Sequence, residues 1–136
     1  MADVLIMQKM DALSRCVARI EQKRPASLSM FEEDIDAQDI ISVNLERAVQ
    51  QCVDAAMIIL SNLGAPVPAT MAEAFDELYA RRVIDEKLCA SMQKAVGFRN
   101  LLVHAYQKID WRRVWDIISN NIDDFRRFAE AVLRAS

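Results

Sequence analysis

The chain has 136 residues, a length that favours one domain over two, and 53% of them are hydrophobic. The formal net charge of −3 argues against a protein that coats nucleic acid with a uniformly basic surface. Lys and Arg number 6 against 10 Asp and Glu in residues 1–68, and 11 against 10 in residues 69–136. A nucleic-acid substrate would therefore have to be held by a local patch in the second half.

Rare residue types restrict the possible classes of fold and site further. Two glycines and three prolines supply too few turns for a sandwich or barrel, which leaves helices. The odd number of cysteines (Cys16, Cys52 and Cys89) suits a reducing cytosol and argues against a disulfide framework or a Cys-rich metal site. The longest apolar run, 55–60, is far shorter than the ~20 residues that cross a bilayer. We also see no export signal at the N-terminus, and we expect a cytoplasmic protein with no membrane span.

Hydrophobic periodicity predicts about five helices with short connections, which make an all-α single-domain bundle. The predicted helices span residues 3–23, 37–63, 70–82, 86–105 and 111–134. Residues 31–36 are predicted to be an acidic connection, Gly64 ends the second helix, and Thr70 with Glu73 forms a capping box. The predicted core positions of the first, second and last helices are Ile6, Met10, Leu13, Val17, Ile20; Ile41, Leu45, Ala48, Cys52, Ala55, Ile59; and Val114, Ile117, Ile118, Ile122, Phe125, Val132.

The fourth helix carries a charged residue on its apolar side. At about 100° per residue, Arg99 falls near the middle of a face formed by Leu88, Met92, Ala95, Val96, Leu102 and Val103. An arginine cannot lose its charge to make burial easier, so Arg99 needs partners or a wet cleft. His104, the only histidine, lies five residues further on and about 140° around the helix.

That angle bears on how Arg99 and His104 could meet. They could converge if the helix loosens near Val103, if Arg99 reaches around the helix, or if two copies of the chain face each other. The geometry favours a site at a dimer seam. Ordinary roles also stay open, since a histidine near a helix end is commonly a surface residue and an arginine can extend its charge to water.

The segment Gly97–Tyr106, GFRNLLVHAY, resembles the signature of the HEPN superfamily, in which an Arg and a polar residue precede a His. Four residues between Arg99 and His104, with a Tyr two after the His, are similar to the HepT branch. Asn44–Arg47, Gln51–Asp54 and Ile122–Phe125 also resemble helices of that branch. The resemblance covers nearly the whole chain.

This resemblance implies a homodimeric, metal-independent endoribonuclease that acts as the toxin of a type VII toxin–antitoxin system. It also implies a partner, a MntA-like minimal nucleotidyltransferase antitoxin that transfers AMP from ATP onto Tyr106. No cofactor or metal of the toxin's own is expected. An AMP group at Tyr106, beside the phosphate site, would block RNA by bulk and like charge.

The residue chemistry is compatible with RNA cleavage. The His104 side chain is the natural proton carrier near neutral pH, and the fork of Arg99 can hold two phosphate oxygens. Asn100 could orient the phosphate or His104. One histidine cannot readily serve as acid and base together, so a second His104 from a dimer would help. The basic residues that could guide RNA are Lys94, Lys108, Arg112 and Arg113.

Two other hypotheses fit the same sequence. The chain could be a non-catalytic helical partner or scaffold of a nucleotidyltransferase, which would form a complex but break no RNA. It could also be a plain dimerising bundle, which would leave Arg99 unexplained on its apolar face.

Overall fold

The computed structural model describes residues 3–104 and 109–136. These residues form seven helices and contain no strand, which confirms the all-α class but corrects the predicted number of about five. The helices are α1 Val4–Lys23, α2 Leu28–Glu33, α3 Ile35–Asn62, α4 Met71–Ala80, α5 Glu86–His104, α6 Trp111–Asn120 and α7 Ile122–Ala135.

The long helix α3 is the centre of the bundle. It contacts α1, α2, α4, α5 and α7, and its most extensive partner is α1. The two run antiparallel, since Asn62 Nδ2 donates to Asp3 Oδ2 at 2.8 Å at one end of the pair. Every position predicted to face inward on the first two helices is buried, which confirms both apolar stripes.

The predicted acidic connection at residues 31–36 is wrong, because it overlaps the short helix α2 and the start of α3. Ser27 caps α2 by accepting from the Met30 N–H at 3.2 Å. The buried Gln38 side chain donates to the carbonyls of Phe31 and Glu32 at 2.9 and 3.1 Å. These hydrogen bonds help to satisfy the carbonyl groups in the last turn of α2. Six residues are too few to show a helical period in the sequence.

The predicted last helix is also wrong in one respect, because it is broken at Asn121 into α6 and α7. Asn121 has φ −119° and ψ 3°, and its Nδ2 donates to Asp124 Oδ2 at 3.3 Å. Asn and Ser favour such local hydrogen bonds over a continuous helix, and the sequence here is Ser119-Asn120-Asn121. The break lets α6 pack on α2 while α7 packs on α1, α3 and α5. The predicted inward residues of both pieces are buried, except that Ile117 is only partly so.

Two predicted helix signals are confirmed. The Thr70 hydroxyl accepts from the Glu73 N–H at 3.1 Å, and Glu73 accepts from the Ala69 N–H at 3.0 Å, one residue earlier than a standard capping box. Gly64, two residues beyond the end of α3, has φ +71°, in the left-handed region where glycine is favoured.

Buried thiols make poor nucleophiles in this fold. All three cysteines are buried and free, and burial raises the pKa of the Cys16, Cys52 and Cys89 thiols, that of Cys52 by the most. Among the residues that the structure describes, no group of three or more His, Cys, Asp or Glu side chains is arranged to hold a metal ion. None of the described helices is long and apolar enough to span a membrane.

Candidate active site

Helix α5 places Arg99 at the edge of the core. Leu88, Met92, Val96 and Leu102 are buried on the predicted face, and Arg99 is half-buried among them. The burial predicted for Val103 is wrong, since it is 41% exposed. Val103 lies in the last turn of α5, where the neighbouring helices cover Leu102 and leave Val103 open.

Two amide side chains hold the Arg99 guanidinium. Its Nη2 donates to Gln50 Oε1 on α3 at 3.3 Å, and its Nη1 donates to Asn100 Oδ1 at 3.4 Å. The Nε–H is buried and has no acceptor among the described residues. Because a buried donor without an acceptor is costly, this N–H is an unsatisfied polar group at the site.

No carboxylate among the described residues pairs with Arg99. Residues 1–2 and 105–108, which the structure does not describe, contain no Asp or Glu. The guanidinium thus keeps its full positive charge in a half-buried position. Its attraction for an anion is screened less there than on an open surface. The bidentate geometry of guanidinium suits a phosphate group.

The backbone of α5 is helical as far as His104, so the loosening near Val103 that the sequence left open does not occur. Arg99 and His104 are therefore separated by a regular helical path, about 140° around the axis. The side chain of His104 is not among the described ones. Tyr106 and Lys108, predicted as the modified residue and an RNA contact, also lie outside the described residues.

The structure brings Arg99 and Asn100 together but leaves the predicted RNA contacts apart. Lys94 on α5 and Arg112 and Arg113 on α6 are exposed. None of the side-chain hydrogen bonds or ion pairs found within residues 3–104 and 109–136 joins them to Arg99. Their part in binding RNA stays a prediction.

Sequence reasoning missed Gln50, the residue that contacts Arg99 from another helix. It stands between the segments Asn44–Arg47 and Gln51–Asp54 that carry the family resemblance. A signal was present, because Gln50 and Asp54 are one helical turn apart on one face of α3. The signal was weak, because 49 residues separate Gln50 from Arg99.

Comparison with protein families decides to which family this chain belongs. The model of a family described as ribonuclease HepT-like matches residues 13–132, most of the chain. The chain belongs to the HepT-like ribonuclease family. The HepT-like fold thus accounts for the helical bundle.

Two curated relatives cover nearly the full HepT-like chain. It is 29% identical to the mRNA nuclease HepT of Shewanella oneidensis, over 94% of this chain and 96% of the relative. It is 26% identical to the tRNA nuclease HepT of Aphanizomenon flos-aquae, over 95% of this chain and 88% of that one. Relatives of similar length thus carry names with different RNA classes.

The HepT-like fold also matches a solved complex. The tri-AMPylated Shewanella oneidensis HEPN toxin in complex with MNT antitoxin superposes with a TM-score of 0.90 at 29% identity, over 98% of this chain and 99% of that chain. A second structure, a toxin–antitoxin with AMP-PNP, gives a TM-score of 0.89 at 28% identity, over 96% and 98%.

Proposed function

We propose that the chain is a metal-independent endoribonuclease toxin of a type VII toxin–antitoxin system, with Arg99 and His104 as its catalytic residues and Asn100 in support. The observation that carries the proposal is the Arg99 guanidinium, which is half-buried, held by amide oxygens and without a carboxylate partner among the described residues. The relatives named as mRNA and tRNA nucleases support RNA as the substrate class.

In the proposed reaction the 2′-oxygen of the RNA attacks the neighbouring phosphorus. A P–O2′ bond forms and the P–O5′ bond breaks, which leaves a 2′,3′-cyclic phosphate and a free 5′-hydroxyl. One His104 accepts the 2′-hydroxyl proton and a protonated His104 of the partner subunit gives a proton to the leaving O5′. Arg99 donates to the phosphate oxygens, whose negative charge increases in the transition state.

The proposed site is shared between two protomers. A continuous helix through His104 supports this, because one straight helix directs Arg99 and His104 to different sides. Leu101 and Val103, 53% and 41% exposed, flank this end of α5 and offer apolar surface that a second copy could cover.

The proposed antitoxin is a MntA-like nucleotidyltransferase that modifies Tyr106. The Tyr106 oxygen would attack the α-phosphorus of ATP, form an O–P bond and release pyrophosphate, with the phenolic proton going to solvent. The AMP-modified toxin complex that matches this fold supports the proposal. The added negative charge would repel the RNA phosphate that Arg99 is proposed to bind.

The test combines growth and purified protein. Expression of the chain alone is expected to arrest growth, and Arg99→Ala or His104→Ala to relieve the arrest, with cleavage by the purified variants reduced at least ~10²-fold. Cleavage by the original chain should persist in EDTA. Arg134→Ala, at an exposed position late in α7, is the matched control and should behave as the original chain. Arrest that persists undiminished in both variants would remove the catalytic assignment.

The antitoxin is tested by incubating the purified pair with ATP and measuring intact mass. The toxin should gain the mass of one or more AMP units, and Tyr106→Phe should gain none. If the pair forms a complex but the purified chain breaks no RNA under any condition, the chain is a partner or scaffold of the nucleotidyltransferase.

A further inference from the structure

A chain of polar contacts connects Arg99 on α5 to α1 by way of α3. Gln50 on α3 accepts from Arg99 Nη2 at 3.3 Å and donates through Nε2 to Asp54 Oδ1 at 2.8 Å. Lys9 on α1 donates to Asp54 Oδ2 at 3.0 Å. Four side chains from α1, α3 and α5 therefore form one connected network, which we call the Arg99 relay.

We propose that Gln50 is the positioning residue for Arg99, and that Asp54 and Lys9 fix the direction in which the Gln50 amide faces. The inference rests on the proposed function, since it concerns how Arg99 is presented to a phosphate. It assigns a role to a residue outside the Arg99–Tyr106 segment.

The direction of the Gln50 amide follows from the chemistry of its neighbours. A carboxylate only accepts hydrogen bonds, so the amide nitrogen of Gln50 must face Asp54. The amide oxygen must then face Arg99, where a donor awaits it. Lys9 occupies the second oxygen of Asp54, so the charge of that carboxylate is balanced inside the relay and does not reach Arg99 directly.

A neutral partner suits a phosphate-binding arginine better than a charged one. A glutamate at position 50 could form an ion pair with the guanidinium and would compete with the RNA phosphate for it. The Gln50 oxygen restricts the orientation of Arg99 and leaves its charge intact.

A purely structural role, in which Gln50 only ties α3 to α5, predicts different results. It predicts that Gln50→Glu keeps the activity of the original chain, because a carboxylate accepts from Arg99 more strongly than an amide. It also predicts that losing Gln50 and losing Arg99 have independent effects, because the two would act on different properties.

The main variant is Gln50→Met, which keeps the length of the side chain and removes both the acceptor and the donor. Gln51→Met is the matched control, a half-buried glutamine on the same helix that faces the α1–α3 groove with Cys16 and Arg47. Cleavage of an RNA by the full-length purified protein gives kcat and KM, and thermal unfolding reports the fold.

Gln50→Met is expected to lower kcat by about 10- to 100-fold, since a small misplacement of a binding group has effects of that size. The kcat of Gln51→Met should stay within about twofold of that of the original chain. Gln50→Glu should have a lowered kcat, as Gln50→Met does. The midpoint of unfolding should remain close to that of the original chain in all three variants.

A double-mutant cycle on binding isolates the coupling between Gln50 and Arg99. The dissociation constant is measured for an RNA in which 2′-O-methyl groups prevent cleavage, with Gln50→Met, Arg99→Ala and both together. The relay predicts that Gln50→Met weakens binding severalfold in the original chain and changes it by less than about twofold in the Arg99→Ala background.

The inference would be overturned if Gln50→Met weakened binding by the same factor in the original chain and in the Arg99→Ala background. Full activity of Gln50→Met or Gln50→Glu would also overturn it. If the Arg99→Ala variant is inactive while Gln50→Met is not affected, the proposed function stands and only the relay fails. If the original chain neither cleaves nor binds RNA, the proposed function itself fails.

Discussion

Arg99 shows how a single residue can be charged, half-buried and still available. Its hydrogen bonds are long, at 3.3 and 3.4 Å, and their acceptors are amide oxygens. An amide oxygen is a weaker acceptor than a carboxylate. A competing anion therefore has little to displace. The same residue in an ion pair would be better satisfied in the free protein and less able to bind a phosphate.

The Asp3 carboxylate offers a test of how charge stabilises the fold. The hydrogen bond from Asn62 holds the pKa of Asp3 below its ordinary value of 3.8, and the N–H groups of Ile6 and Leu5 act in the same direction against the opposing effect of burial. Because the pKa is lower in the folded chain, the stabilisation is present above about pH 4 and is lost as the pH falls through the folded value.

We expect Asp3→Ala to lower the midpoint of thermal unfolding by a few degrees at pH 7, because the N-cap of α1 is lost. The gap from the original chain should narrow as the pH falls below about 4, as followed by circular dichroism. Asp11→Ala, at an exposed pair with Arg15, is the control, and its effect on the midpoint at pH 7 should be smaller. A gap that stays constant down to pH 2 would contradict this account.

The sequence was sufficient to place Arg99 on the inner face of α5, because helical spacing fixes which residues share a side. It could not identify Gln50, because that contact depends on how α3 and α5 pack. It also placed Val103 with the buried residues, because periodicity does not tell where the neighbouring helices stop covering a face.

At the scale of elements, the long helices were predictable, whereas α2 and the break between α6 and α7 were not. Three or more turns of regular apolar spacing identified α1 and α3, whose buried stripes match the prediction. Helix α2 has too few turns for such a signal, and the break at Asn121 depends on α6 and α7 packing on different partners. Tertiary contacts decided both cases.

Phe31 anchors α2 to α6. Its side chain is fully buried, with ring centroids 5.6 Å from Trp111 and 5.7 Å from Trp115. We expect Phe31→Ala to lower the free energy of unfolding by about 3–5 kcal/mol, through lost burial and the cavity left between the helices. Denaturant unfolding measured by tryptophan fluorescence reports it directly, since both indoles contact the ring.

Met30→Ala is the matched control for Phe31, since Met30 is the preceding residue of α2 and is 54% exposed. Its effect should be below about 0.5 kcal/mol. Equal effects of the two variants would mean that α2 is not held by the aromatic cluster.

At the scale of the whole molecule, a chain with a net charge of −3 has to attract an anionic substrate locally. The charge of Arg99, which forms no ion pair among the described residues, is one such local feature, and a dimer would bring two such charges to one seam. The proposed seam also explains why a single protomer offers one histidine for a reaction that moves two protons.

Mixing the original chain with an inactive variant tests whether the site is shared. In a dimer of one original protomer and one His104→Ala protomer, a groove that needs the His104 of both chains lacks one of its two proton carriers. Random pairing after co-refolding of equal amounts makes about half of the dimers mixed and about a quarter fully original, so cleavage should fall to about a quarter of that of the original chain. Native mass spectrometry confirms that mixed dimers have formed. If they form and cleavage falls only to about half, each site lies within one protomer and the shared groove is excluded.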